Sequence, residues 1–272
     1  FGDRLATVWI ADARLQPGGQ LGEPPQNASL ASRTLPNVRQ SGDGFTGTTE
    51  ARNDWLRFLR DLETAYYDAM IGHLRAHCAC SGLIFGTIMA NSPATVQSRL
   101  DVVDAHAYWQ HPQFPGQPWD SVNWTVGNVA LVNTIGDDNP LTGLARQRIK
   151  GKPFTVTEYQ HPAPNQYSAE APLLLAAYAA LQDWDGIWLF DYGPGQDSVA
   201  MGRIRGFFDT AQHPAKMANL LVAANLFRRG DVAPAHLEYT LALEPEAEID
   251  LLRRQASAWS VFTGAQLGLP TR

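Results

Sequence analysis

The chain predicts an α/β protein, a parallel sheet with helices packed outside it. Three observations lead there. Short apolar runs alternate with amphipathic stretches, in the order helix, then strand–helix four times over. Polar and apolar residues do not simply alternate within the runs, as expected for strands covered on both faces. The 272 residues, 44% of them hydrophobic, supply a sizeable core.

Residues 1–53 read as a loop-rich N-terminal segment. FGDRLATVWIADARL can give one strand, and the rest is rich in Gly, Pro, Ser, Thr and Asn. The first long element is a helix over 54–77. Trp55, Phe58, Leu59, Leu62, Tyr66, Ala69, Met70 and Leu74 fall at helical spacing, with Asp54 as N-cap. SGLIFGTIM predicts a strand over 81–89, followed by a short helix over 93–100. DVVDAHAYW predicts the second strand, 101–109. A Trp/Pro/Asn-rich loop and a helix over 140–149 follow.

KPFTVTEY predicts the third strand, 152–159, and an Ala/Leu-rich helix covers 168–184. GIWLFDY predicts the fourth strand, 186–192. The helix over 213–230 ends on Gly230, placed as a C-cap. Residues 54–230 thus form the main domain. Residues 231–272 read as an appendage packed on it, with a strand-like piece at 236–243 and a helix over 246–260.

Composition narrows the chemistry. A net charge of −6 with no basic cluster excludes a nucleic-acid partner. No stretch is long and apolar enough to span a membrane, and no signal peptide is legible. The compartment stays unknown on these grounds. Cys78 and Cys80 are too close in sequence to bridge, so no disulfide framework is expected. His73 and His77 lie near them on a helix-end pattern and are read as no metal site. GPGQDS at 193–198 lacks dinucleotide spacing, and no cofactor is expected.

In a barrel-like arrangement of such units, functional groups collect at the C-terminal ends of the strands. The first predicted strand ends near Thr87 and Asn91. The second offers His106, Tyr108 and Trp109, the third Glu158, Tyr159 and His161, the fourth Trp188, Asp191 and Tyr192. Taken singly these have ordinary explanations. A strand-end Glu is commonly a structural hydrogen-bond partner, His106 a core histidine, Trp188 a core residue, and Asp104 and Asp191 loop caps. Their convergence on one rim favours a carbohydrate site. Aromatic faces stack on sugar rings, and a carboxylate can attack an anomeric carbon.

DVVDAHAYWQHPQFP, GKPFTVTEYQHPAPN and WDGIWLFDY resemble strands six, seven and eight of clan A glycoside hydrolases, retaining (β/α)8-barrel enzymes that include cellulases and β-mannanases. The resemblance covers about residues 54–230, so the chain is similar to the C-terminal half of a TIM barrel. It implies a glycoside hydrolase acting on β-linked glucans or related β-glycosides, in a secreted or periplasmic setting. Glu158 matches the nucleophile, Tyr108 or His106 the strand-six group that hydrogen-bonds near it, and Trp188 the aromatic platform under a sugar.

The departure is the acid/base glutamate, which in the family follows an asparagine at the end of strand four. No Asn-Glu pair exists in this chain. A second carboxyl must come from Glu50, Glu23, Asp104, Asp191 or a neighbouring chain. A half-barrel also leaves strand edges and one sheet face open. A homodimer or higher homo-oligomer that completes the barrel is therefore expected, or coverage by residues 1–53 or the tail. The alternative function is a non-catalytic half-barrel that binds carbohydrate through Trp109, Trp119, Trp124 and Trp188.

Overall fold

The structure, a computed structural model, describes residue Ser29 and residues 31–33, 48–134, 136–193, 202–204 and 206–254. The expected N-terminal strand, Glu23, the GPGQDS loop beyond Gly193 and the last part of the 246–260 helix lie outside the described residues. Within them the chain is mixed α/β, a small parallel sheet alternating with helices.

Helix α1 spans Thr49–His77 and starts earlier than the apolar spacing indicated. Its cap is Thr48, whose hydroxyl accepts the Ala51 N–H at 3.1 Å. Asp54 instead pairs with Arg57 one turn on, at 2.7 Å.

The strand expected over 81–89 is not a strand. Phe85 makes a single parallel bridge to Val102. Side chains take the backbone groups that a ladder would use. The Ile84 N–H goes to the Asp101 carboxylate at 2.8 Å and the Thr87 N–H to the Tyr67 hydroxyl at 2.9 Å. A 3-10 turn at Met89–Asn91 and the short helix α2, Ala94–Gln97, complete this stretch.

Three strands do form: β1, Val103–Tyr108, β2, Phe154–Gln160, and β3, Gly186–Leu189. They are parallel in the order β1-β2-β3. Helix α3, Pro140–Ala145, lies between β1 and β2, and α4, Glu170–Leu181, between β2 and β3. Helix α5, Pro214–Arg229, follows β3 and ends on Gly230, whose φ of 65° suits glycine. Parallel neighbours need such crossovers, so the helices are part of the pairing rather than decoration of it.

The core lies on one face of the sheet. Val103 and Ala105 of β1 and Phe154, Val156 and Tyr159 of β2 pack there against Leu141, Leu144, Ala171, Leu175, Ala179 and Trp184. The other face carries Asp104, His106, Tyr108, Thr155, Thr157, Glu158 and Trp188. An apolar second face, covered by another copy or by the terminal segments, was the expectation. A polar face is the outcome, and it is where the site lies.

The C-terminal appendage packs through helix α6, Pro245–Arg254. Ile249 and Leu252 close on Leu56 of α1, and Glu246 pairs with Arg57 at 2.6 Å. The strand-like piece at 236–243 has no ladder partner among the described residues, and Leu237, Tyr239 and Leu241 stay exposed.

Candidate active site at the ends of the strands

A bulge sets the geometry. Ala105 pairs with Val156 and the next residue, His106, pairs with Glu158, so Thr157 is extra in β2. A second shift against β3 falls in the same place. As a result Val156 and Tyr159, three residues apart, both face the core, and Thr157 and Glu158 both fall between them. Asp104 holds the irregularity. Its carboxylate accepts the Thr157 N–H at 3.1 Å, the Thr157 hydroxyl at 2.5 Å and the Thr155 hydroxyl at 2.7 Å. The extra residue's N–H, which the ladder cannot use, is thereby satisfied.

Glu158 is reached from β1. The Tyr108 hydroxyl donates to its Oε2 at 2.5 Å, and His106 Nδ1 stands 3.3 Å from the same oxygen. On its other side, His106 Nε2 lies 2.8 Å from the Thr157 hydroxyl and 3.4 Å from Asp104 Oδ2. The Glu158 side chain is 33% exposed, so the carboxylate is held by Tyr108 and still reaches solvent. Burial, then the bond to Glu158 and its charge, then the charge of Asp191 push the Tyr108 hydroxyl well above the ordinary phenol range. Tyr108 therefore stays a donor.

Asp191 follows the end of β3. The Phe190 N–H bonds the Tyr159 carbonyl at 3.1 Å, and the Tyr192 carbonyl takes the N–H groups of Thr210 and Ala211. Asp191 is thus fixed between two anchored neighbours. Burial, then the nearby Asp209, raise its carboxyl above the usual range. Below it Lys216 is fully buried, with Nζ on the His161 carbonyl at 2.7 Å. Burial brings its pKa down to about 7 against the pull of Asp209 and Asp191.

An aromatic wall leads away from Glu158. Tyr108 packs on Phe208 at 4.7 Å between centroids, Phe208 on His111 at 5.7 Å, and His111 on Trp119 at 5.3 Å. Phe114, Phe207 and Trp124 extend it. Trp119 is 61% exposed and sits at φ 62°, a conformation disfavoured for an L residue. The wall is braced from the loop after β2. Asn165 bonds the Gln110 side chain at 2.9 Å and the Gly127 carbonyl at 3.2 Å, and the Trp124 indole N–H bonds the Ala163 carbonyl at 3.0 Å. Trp188 of β3, 53% exposed, has its ring over Gly186. A Cβ on Gly186 would come within 2.6 Å of that ring, so glycine is the floor it needs.

The structure therefore brings Glu158, His106 and Tyr108 together, with Trp188 and Tyr192 exposed along the neighbouring strand end. Trp109, Tyr159 and His161 are corrected from rim to core. Trp109 is 8% exposed and its indole N–H bonds the Val129 carbonyl. Tyr159 is turned inward by the bulge, and its hydroxyl meets His161 Nε2 at 3.0 Å under the sheet. Thr157, His111, Phe114, Phe207 and Phe208 were not singled out from the sequence. The signal for the bulge was there: apolar residues at 154, 156 and 159 are spaced by two, then three.

Comparison with protein-family models, with curated proteins and with solved structures gives no match. Among the described residues no group of three or more His, Cys, Asp and Glu is placed to hold a metal ion, and no helix is long and apolar enough to cross a membrane.

Buried His161 carries a pH signature. Burial, then the Lys216 charge, push its pKa down to about 3. The unfolded chain takes up that proton near the ordinary value of about 6.5, while the folded protein does not. Stability attributable to His161 is present above that value and is lost as pH falls from it toward 3. His161→Leu is expected to reduce the drop in melting temperature between pH 7 and pH 4. An unchanged difference between the two pH values would show that His161 titrates normally in the fold.

Proposed function

We propose that the chain is a glycoside hydrolase of the retaining kind, acting on β-linked glucans or related β-glycosides with Glu158 as nucleophile. The observation that carries this is the part-exposed Glu158 carboxylate, one oxygen of which accepts the Tyr108 hydroxyl with His106 beside it, at the foot of an aromatic wall. A carboxylate so held can attack an anomeric carbon, and the rings beside it suit the faces of a sugar chain. Retention calls for a second carboxyl about 5 Å from the first. Of the sequence candidates within the described residues, Asp104 is occupied by three donors and Glu50 is exposed on the first turn of α1. Asp191 remains, and its raised pKa suits a proton donor.

The fold proposed with this function is half of a (β/α)8 barrel completed by a second copy. Two features support it. β3 has no partner on its outer side among the described residues. Helix α1 exposes Phe58, Leu62, Tyr66 and Met70, four apart on one stripe. Sedimentation at micromolar concentration is expected to give a dimer or larger particle, and a strict monomer would remove self-association from the account.

A second reading, a non-catalytic carbohydrate-binding half-barrel, draws on the exposed Trp119 and Trp188. Nitrophenyl β-glycosides separate the two, since a nitrophenolate leaves with little acid assistance. Release of nitrophenol by the wild-type chain supports the hydrolase. Quenching of tryptophan fluorescence by cello-oligosaccharide without any release supports the binding module.

A further inference from the structure

Trp119 stands out at the far end of the aromatic wall. It is 61% exposed, and its backbone sits at φ 62°. Gln117, Pro118, Trp119 and Asp120 form a turn closed by the Asp120 N–H on the Gln117 carbonyl at 3.3 Å. Proline at the first central position and a positive φ at the second are the pattern of a type II turn. Such a turn calls for glycine or asparagine where tryptophan stands. The loop around it is tied down. Gln113 and Thr125 exchange backbone hydrogen bonds at 2.8 Å and 2.9 Å, which closes the loop at its base. The Asp120 carboxylate accepts the Val122 and Asn123 N–H groups at 2.9 Å and 3.3 Å. A large ring kept exposed at a backbone cost, on a loop held this firmly, points to a ligand.

The ring path gives that ligand a direction. His111 stands between Tyr108 and Trp119, with ring centroids 5.7 Å and 5.3 Å from theirs. The Tyr108 hydroxyl bonds Glu158 at 2.5 Å. Aromatic surface therefore continues from the proposed nucleophile to Trp119, two ring contacts beyond Tyr108. One sugar unit seated at Glu158 does not span two ring contacts, and a chain does. We infer that Trp119 is the platform of a distal subsite, stacked on a unit of a β-glucan chain remote from the bond that is cut. The apolar face of an indole suits the C–H face of a pyranose, and its two χ angles leave little freedom to lose. Affinity then grows with chain length, and Trp119 sets that preference without touching the reacting atoms. The inference rests on the carbohydrate reading of the site, and its test has readouts that do not depend on turnover.

The experiment takes Glu158→Ala as the parent, so that bound sugar is not cut, and adds Trp119→Gly or Trp119→Phe to it. Glycine suits the positive φ, so Trp119→Gly removes the ring and keeps the turn. Binding of cellobiose, cellotetraose and cellohexaose is measured by calorimetry, with the melting temperature alongside. The parent is expected to bind cellohexaose more tightly than cellobiose. Trp119→Gly is expected to weaken cellohexaose roughly tenfold or more and cellobiose much less, and Trp119→Phe to keep most of the affinity. In the parent, cellohexaose should also protect Trp119 from oxidation by N-bromosuccinimide, read by mass spectrometry. Unchanged cellohexaose affinity in Trp119→Gly, an equal loss at every chain length, or oxidation of Trp119 as fast with sugar as without overturns the inference. So does a melting temperature that falls sharply in Trp119→Gly, which would assign the ring to the fold. Binding of none of the oligosaccharides by the parent overturns the carbohydrate reading and the inference with it. Glu158→Ala hydrolysing them as fast as wild type overturns Glu158 as nucleophile alone.

Discussion

Glu158→Ala is expected to lower nitrophenol release from aryl β-glycosides by roughly 10⁴-fold or more. The size follows from what is removed. Retention proceeds through a bond between a carboxylate oxygen and the anomeric carbon, and no neighbouring group replaces it. Asp104 is behind His106 and bound by three donors. The fold should survive, because the side chain is 33% exposed and the Tyr108 and His106 groups it leaves can turn to water. Azide should restore part of the rate by entering the vacated space, giving a glycosyl azide of inverted configuration. Rates are read by absorbance and the azide product by NMR. Equal release by wild type and Glu158→Ala would remove Glu158 from the chemistry.

Asp191→Asn should divide substrates by leaving group. A phenyl or alkyl glycoside needs a proton on the departing oxygen, and its rate should fall roughly 10²- to 10⁴-fold. A dinitrophenyl glycoside needs almost none and should keep its rate. The position supports the assignment. The charge of Asp191 bears on Tyr108, whose hydroxyl bonds Glu158. Its own pKa is raised by burial and then by Asp209. A raised value keeps the acid protonated at higher pH, and activity should fall as pH rises through it. Asp191→Asn should abolish that alkaline fall in kcat/KM for the phenyl substrate. Equal losses on both substrates would instead mark Asp191 as structural, and no loss on either would leave the proton donor elsewhere.

The strands were legible where helices cover them. Val103–Tyr108 and Gly186–Leu189 fall inside predicted runs and Phe154–Gln160 passes the end of its run, 152–159, by one residue, because their apolar residues face the core. SGLIFGTIM has the same composition and failed as a strand. Composition does not register that Asp101 and Tyr67 take its N–H groups. The long helix was legible as a helix but not as a buried one. Leu56 is its one buried residue, and the periodic Phe58, Leu62, Tyr66 and Met70 remain outside.

Which side chains meet at the site was legible only in part. Glu158, His106 and Tyr108 meet as their strand-end positions implied. Tyr159 and Trp109 were misplaced because adjacent residues at a strand's end were assigned to one rim, whereas each turns into the core while its neighbour, Glu158 or Tyr108, does not. Asp104 and Asp191 were visible as carboxyls but not as parts of a network. Their roles depend on partners fifty-one or more residues away for Asp104 and on the fold of the loop carrying Asp209 for Asp191.

The most direct test is to trap the covalent intermediate. A 2-deoxy-2-fluoro cellobioside with a dinitrophenolate leaving group forms the glycosyl-enzyme but hydrolyses it slowly. Peptic digestion and mass spectrometry should then find the sugar on the peptide carrying Glu158, attached to that residue. Turnover of the parent substrate with the label on another residue, or with no label in wild type and full activity in Glu158→Ala, would contradict the account.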